Sequence, residues 1–421
     1  MKPHADIDLA VQDYSLANPD TLTKYKQAGE ISVKVLKAVS EWCVEGAHIL
    51  ELCEKGDKLL EEEVGKVFKG KKLPKGQSHP TTISPSSYVT PYTPLKSDTE
   101  EAETTLKKGE VVKIQLGAQI DGFGTIVCDN VVVPGKDSKE AEIDGRTADL
   151  ILATHYANEL LLRLMLPPGT LATTDEEKAA ANKKSYTQTQ INHMLEKVVK
   201  SYGCTLVEST TSWLFDHNEI EADKKIILAP GEGVKGEGTA AVGEAWGVEV
   251  GVSLGSGKIK SLSNRATLHR RTNITYALKR PSSRATLSEI KARFGTFAFS
   301  LRQLEDERAG KVGIVEAVRA NLVRQYEVVA DKDAEPVGRL LTTIVITKNG
   351  IQRVAAPPQL DTSKYKTDKK ITDEEILKIL ELPTAKAPST KAKKPKKKKK
   401  PASKTASKKA EAETEEESDD E

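Results

Sequence analysis

Two apolar runs, Val111–Leu116 and 125–133, stand on either side of Asp121-Gly122. An Asp-Gly pair between strand-like runs is a strong short-range hairpin signal, because both central positions of a tight turn need positive φ. Such a hairpin commits its neighbourhood to an antiparallel sheet and needs an apolar layer to cover it. Long helical patterns supply that layer. Asn18-Pro19-Asp20 is a helix start, and from Thr21 to about Lys69 apolar residues recur at spacings of three and four (Ile31, Val35, Leu36, Val39, Trp42), with Gly56 and Gly65 as interruptions. Residues 144–166 and 187–202 predict two more helices, the first ending before Pro167-Pro168. Ile226–Leu228, Ala245–Leu254 and Leu340–Thr347 predict strands, and residues 70–98, rich in Gly, Pro, Ser and Thr, predict an irregular segment. Thr372-x-x-Glu375 predicts a capping box before a short helix over 374–382. Hairpins alternating with long helices define an α+β class.

Charge is unevenly distributed. The formal net charge of +2 hides a tail in which 12 lysines (386 to 409) precede 8 acidic residues (411 to 421), leaving 52 basic against 54 acidic residues elsewhere. The organisation predicted is a flexible arm over 1–17, a main domain over 18–385 interrupted by a basic, helical insertion over 256–325, and a disordered Lys-rich then acidic tail over 386–421. Within the insertion, helical periodicity runs from Ser288 to Val318. The four cysteines, Cys43, Cys53, Cys128 and Cys204, form no C-x-x-C pair. Placing Cys43 and Cys53 on one helix separates them by roughly 15 Å, so reduced thiols are expected. No signal peptide is expected over Met1–Leu9, and the run 160–166, broken by Arg163, is too short to cross a bilayer.

Several chemistries lack their residues. Five residues, not the four of a P-loop, lie between Gly251 and Gly257, and Ile259 follows Lys258, so no P-loop forms. The seven histidines show no H-E-x-x-H spacing, and there is no Gly-x-Ser-x-Gly elbow.

The stretch 106–123, LKKGEVVKIQLGAQIDGF, resembles the metal-binding hairpin of the methionine aminopeptidases. That resemblance implies the pita-bread fold and five metal-ligand positions, which fall here on Gln115, Ile126, Trp213, Glu249 and Leu341. The places of two catalytic histidines fall on Pro91 and near Glu221. Sliding the correspondence does not restore the ligands: 113–117, 124–128 and 339–343 hold no carboxylate, and 211–215 hold no histidine. Amide, indole and alkyl groups are poor ligands for hard cations, so the expectation is no metal, no cofactor and no hydrolysis. Glu249 is either a remnant with a new basic partner or an ordinary glutamate. A rival enzymatic reading would use Glu249 with His217.

Thr93-Pro94-Leu95-Lys96-Ser97-Asp98, the segment 301–307 (LRQLEDE), Gly313-Ile314-Val315-Glu316 and the Lys-rich, acid-ended tail resemble the proliferation-associated protein family, the ErbB-receptor-binding and curved-DNA-binding group. The resemblance implies a non-peptidase that binds the large ribosomal subunit near the nascent-chain exit (rRNA and exit-tunnel proteins), binds RNA and DNA, and moves between cytoplasm and nucleus or nucleolus. No membrane partner is expected, and the chain is expected to be a monomer. The residues agree in one region: Lys258, Lys260, Arg265, His269, Arg270, Arg271, Lys279, Arg280 and Arg284, with Tyr276 among them, form a candidate rRNA-binding patch. Lys393, Lys394, Lys396, Lys397, Lys398, Lys399 and Lys400 are candidates for nucleic-acid binding or nuclear targeting. A transcriptional cofactor acting on DNA through this tail is the alternative.

Overall fold

The computed structural model describes residues 13–138, 141, 143–174, 176–177 and 184–387. The arm residues 1–12 and the candidate tail lysines Lys393, Lys394 and Lys396–Lys400 lie outside the described residues.

The first helix, α1 (Pro19–Trp42), begins where the sequence predicts: the Asn18 side chain accepts from the Asp20 amide and Pro19 occupies the first turn. It does not continue to Lys69. The chain turns at Cys43–His48, with Gly46 at φ +82°, and folds back as α2 (Ile49–Lys66). Cys43 and Cys53 therefore sit on different elements of one buried cluster, not 15 Å apart along a single helix, and both are free thiols. Residues 75–84, expected to be irregular, form an edge strand, β1 (Lys75–Ser84). Pro80 is tolerated because the register shifts on both sides of His79, so no ladder donor is missed there.

The predicted hairpin is β2 (Val111–Ile120) with β3 (Phe123–Gly124) and β4 (Val127–Val132). Asp121 (φ +54°) and Gly122 (φ +80°) make the tight turn. After a one-turn helix α3 (Thr99–Ala102), the helices α4 (Gly145–Met165) and α5 (Gln188–Ser201) follow the predicted spans, and Thr187 and Gln190 close a capping box. The remaining main-sheet strands are β5 (Thr205–Leu206), β6 (Thr210–Phe215), β7 (Lys225–Leu228) and β8 (Ala245–Ser253).

Next come β9 (Ile259–Ser261), β10 (Leu268–Arg271), α6 (Pro281–Arg293), β11 (Ala298–Ser300), α7 (Glu307–Arg319), β12 (Val323–Tyr326) and β13 (Val329–Asp331). The helical periodicity over 288–318 thus resolves into two helices separated by a strand, and the stretch 256–325 carries a three-stranded sheet, β11-β10-β12, besides its helices. The chain closes with β14 (Val337–Thr347), β15 (Gly350–Ala355) and α8 (Glu374–Glu381). Asp373, not Thr372, caps α8, accepting from the amides of Glu375 and Ile376.

The main sheet is antiparallel and runs β1-β2-β4-β14-β8-β6-β7. Period-two alternation divides its faces. Val112, Ile114 and Leu116 of β2 pack under α1 and α2, and Val248, Val250 and Val252 of β8 pack under α4 and α5. Helix α1 lies so close that a Cβ on Gly29 would stand 1.9 Å from the Val354 carbonyl oxygen. The residues between these apolar positions face the other side, where the site lies. Among the described residues no helix is long and apolar enough to cross a membrane.

Candidate functional site

Strand register assembles the site. Gln115 pairs with Cys128 across β2–β4, Cys128 with Leu341 across β4–β14, and Leu341 with Glu249 across β14–β8. Directly paired residues share a face, so these four side chains form one row on the face away from the helices. A cavity of about 250 Å³ opens above that row, and all five positions matched to metal ligands line it: Gln115, Ile126, Trp213, Glu249 and Leu341. Pro91 and Glu221, the places of the two histidines, line it as well.

The row's chemistry is that of a closed ion pair. Arg339, two residues before Leu341 and so on the same face of β14, donates from Nε to Glu249 Oε1 in a short hydrogen bond, and its Nη1 lies 3.3 Å from the Val89 carbonyl. Both side chains are largely buried. Burial opposes the charge on Arg339, but Glu249 beside it more than offsets this and raises its pKa. Sequence reasoning left Glu249 open between a new basic partner and none; the partner is Arg339. The sequence reading did not name Arg339; period-two alternation back from Leu341 along β14 is the signal that could have found it. Burial pushes the Cys128 thiol up to about 12, which removes it as a thiolate ligand.

At the other end of the row Gln115 Nε2 lies 3.0 Å from His79 Nε2, and His79 Nδ1 lies 2.8 Å from the Pro80 carbonyl. Burial holds His79 down at about 3, so it is neutral. His79 was only one of seven scattered histidines in the sequence; its strand was not foreseen, so its place beside Gln115 was not either. His217 does not join Glu249. It stacks on Tyr14 at 3.8 Å and its Nε2 donates to the Asp121 carbonyl at 3.0 Å.

This donor set does not fit a pair of divalent cations. The lining carboxylates are already engaged: Glu249 by Arg339, Glu208 by Lys258, and Glu221 by Arg270, Arg324 and the Tyr326 hydroxyl. Among the described residues no group of three or more His, Cys, Asp or Glu side chains is placed to hold a metal ion.

The candidate rRNA patch divides in two. His269 and Arg270 are not on the surface: β10 is the middle strand of its sheet, and they are 2% and 7% exposed. Arg270 is clamped by Glu219 and Glu221, which ties β10 to the loop after β6, and burial holds His269 down at about 4. Arg271 is half-buried, donating from Nε to the Gly295 carbonyl at 2.9 Å. Lys258, Lys260, Arg265, Lys279, Arg280 and Arg284 are exposed. Three of them gather at the start of α6, where Arg284 Nη1 donates to the Lys279 carbonyl at 2.7 Å and Arg280 is the N-cap. Tyr276 and Ile274, in the loop before it, are 55% and 52% exposed. Lys260 instead donates to the Lys332 carbonyl at 2.9 Å, and Arg265 stands 3.9 Å from Asp98.

The motifs that carried the family resemblance tie the segment after β11 to α2 and to the loop over 93–98. Arg302 is ion-paired to Asp57 at 2.8 Å and donates to Thr93 Oγ1 at 2.6 Å. Glu307 accepts from the amides of Lys96 and Ser97, and Lys311 pairs with Asp98.

Comparison with known proteins shows the fold and the family. Residues 23–209 match the model of metallopeptidase family M24. The methionine aminopeptidase of Thermotoga maritima superposes with a TM-score of 0.50 at 15% identity, over 80% of this chain and 98% of that one, a likeness of fold. The protein thus has the pita-bread fold of the M24 metallopeptidases. A solved structure of a thermophilic Arx1 is 64% identical, with a TM-score of 0.86 over 88% of this chain and 100% of that one. The curved DNA-binding protein of Schizosaccharomyces pombe is 37% identical over 376 residues, 88% of this chain and 92% of that protein. The chain belongs to the proliferation-associated protein family, the group of the curved DNA-binding and ErbB-3-binding proteins.

Proposed function

We propose that this chain is a non-hydrolysing member of the M24 fold that works by binding. It docks as a monomer on the large ribosomal subunit near the nascent-chain exit, contacts rRNA and exit-tunnel proteins, binds RNA and DNA, and divides its time between cytoplasm and nucleus or nucleolus. The observation that carries the loss of hydrolysis is the Arg339–Glu249 pair. A fixed guanidinium satisfies the carboxylate that would otherwise face a metal, and it offers no activated water.

The docking surface we favour is the outer face of the insertion at the start of α6. Lys279, Arg280 and Arg284 are exposed there beside Tyr276, while the nearby acids are engaged locally: Glu316 by the amides of Lys279 and Arg280, Glu289 by Arg293. Exposed arginines with an adjacent aromatic suit phosphate and unstacked bases. Co-sedimentation with purified large ribosomal subunits tests this. The wild type should pellet, and Lys279→Glu/Arg280→Glu/Arg284→Glu should pellet at least tenfold less at low salt, the difference narrowing as salt rises. Equal pelleting of both would remove the docking surface; pelleting of neither would remove the ribosomal role.

The name of the S. pombe relative favours a second reading, DNA binding. In that case deleting residues 391–409 should weaken DNA binding while the triple reversal leaves it unchanged. Deleting the acidic end, 411–421, should tighten DNA binding at low salt if that segment competes for the lysines. A fluorescent fusion with and without residues 391–409 reads the nuclear share directly.

A further inference from the structure

Asp129 follows Cys128 on β4 and so faces the opposite way, toward the side of the sheet that α1 covers. Its pair across β2 is Ile114, which is fully buried. A carboxylate in such surroundings needs partners, and Asp129 has one. Its Oδ1 accepts from the Asn130 amide at 2.8 Å, and its Oδ2 meets no donor among the described residues. Burial pushes the carboxyl up to about 7, and no neighbouring cation pulls it back. The side chain is only half-buried, and it lines a cavity of about 1000 Å³ between α1, β4 and the segment after β15. Oδ2 is open to that space.

The free valence narrows the ligand. With Oδ1 taken, the carboxylate offers one oxygen, whereas the planar fork of a guanidinium is matched by two. A compact ammonium needs one anionic oxygen and neutral acceptors beside it. Ser40 Oγ, which gives its own proton to the Leu36 carbonyl at 2.8 Å, lines the same cavity and keeps its lone pairs. Hard metal ions need more oxygen ligands than this, and among the described residues no group of three or more candidate ligands is placed to hold one. Val44, Val132, Pro134 and Ile143 supply apolar wall for an alkyl stem. The other ionisable groups on the cavity are Lys37 and Glu41 of α1, Asp144 before α4, and Lys364, Tyr365 and Lys366 after β15. With Asp129 the carboxylates balance the lysines, and Tyr365, pushed up to about 12 by burial and by Asp129, stays a neutral phenol. The volume lies at the upper end of the roughly 300–1,000 Å³ of ligand sites, room for a side chain with its adjoining backbone.

We propose that this cavity binds a primary ammonium group on an alkyl stem, with Asp129 Oδ2 as its counter-ion and Ser40 Oγ as a second acceptor. The stem is that of a lysine side chain or of a free aliphatic polyamine. The site is one of recognition, with no reacting group.

The test uses the full chain with no ribosome present, so its outcome is independent of the docking reading. Nα-Acetyllysinamide, spermidine and Nα-acetylargininamide are titrated by calorimetry and ligand-observed NMR at a pH of about 8 and about 0.15 M salt, which screens exposed charges. The lysine probe or spermidine should bind, and the arginine probe at least fivefold more weakly. The first alone would mark a peptide side chain as the source of the ammonium, and the second alone a free polyamine. Asp129→Asn, which keeps the acceptor for the Asn130 amide, should weaken the bound probe at least tenfold. The wild type gives a second readout. The probe must displace the proton on Asp129, so affinity should rise about tenfold between a pH of about 6 and about 8. Ordinary carboxylates, those of the acidic tail included, ionise near 4 and would give a flat profile over that range, and the lysine amine, near 10.4, is charged throughout. A flat profile, an unchanged affinity in Asp129→Asn, an arginine probe that binds as tightly as the lysine probe, or no binding of any probe at millimolar concentration would each overturn the proposal.

Discussion

Arg270 and Arg280 are ten residues apart in the same basic stretch, yet they do opposite things. Arg270 lies on the middle strand of the β11-β10-β12 sheet, 7% exposed, its charge spent on Glu219 and Glu221. Arg280 caps the start of α6 and faces solvent. The cavity floor repeats the first arrangement: Arg339 is held by Glu249 as Arg270 is held by its glutamates. The difference teaches that a cluster of positive residues in a sequence describes two physical objects. Those on strands with a buried face become internal cations that must find carboxylates. Those at helix starts and in loops remain available to a partner.

The sharpest way to break the comparison is to remove the internal charges. Arg339→Ala leaves Glu249 buried and uncompensated, and should cost about 3–5 kcal/mol in urea unfolding. The double replacement Arg339→Met/Glu249→Leu should recover most of that loss, because no charge is left unpaired. A recovery of nothing would mean that the pair is not what holds this row. Arg270→Glu should destabilise as much as Arg339→Ala, since it sets a third carboxylate against Glu219 and Glu221.

Acid provides the next effect. His79 and His269 are held at about 3 and about 4 by burial. In the unfolded chain each titrates near its ordinary value of roughly 6.5, so between those values the unfolded chain binds more protons. Stability from these two groups is full above about pH 6.5 and falls as pH drops, by up to about 1.4 kcal/mol per pH unit per histidine. His79→Gln and His269→Gln should each flatten the acid limb of the stability profile; a profile unchanged in both variants would contradict their burial as neutral rings. Smallest of all, Arg280→Ala should move stability by no more than about 0.5 kcal/mol, the usual range at an exposed position.

Much of this architecture was legible. The Asp121-Gly122 turn and the spans of α4 and α5 depend on local pattern, and the resemblance to the metal-binding hairpin named five residues, Gln115, Ile126, Trp213, Glu249 and Leu341, that line one cavity. What was missed depends on long-range pairing. Strand β1 was hidden because Pro80 and its polar neighbours look like a loop until the register shifts around His79 are seen. The buried state of His269 and Arg270 depends on β11 and β12, 28 and 54 residues further along at the paired positions Ala298 and Arg324. The turn at Gly46 escaped because the helical spacing on its two sides happens to stay in phase with a single helix.

The central claim is that an arginine stands where this fold elsewhere holds metal. Titration of the purified chain with Co(II), followed through its visible absorption bands and by metal analysis after gel filtration, tests it most directly. The account predicts no retained cobalt and no bands from a protein-bound ion, with Arg339 still on Glu249. One or two equivalents of cobalt retained per chain, lost on Glu249→Ala, would contradict it.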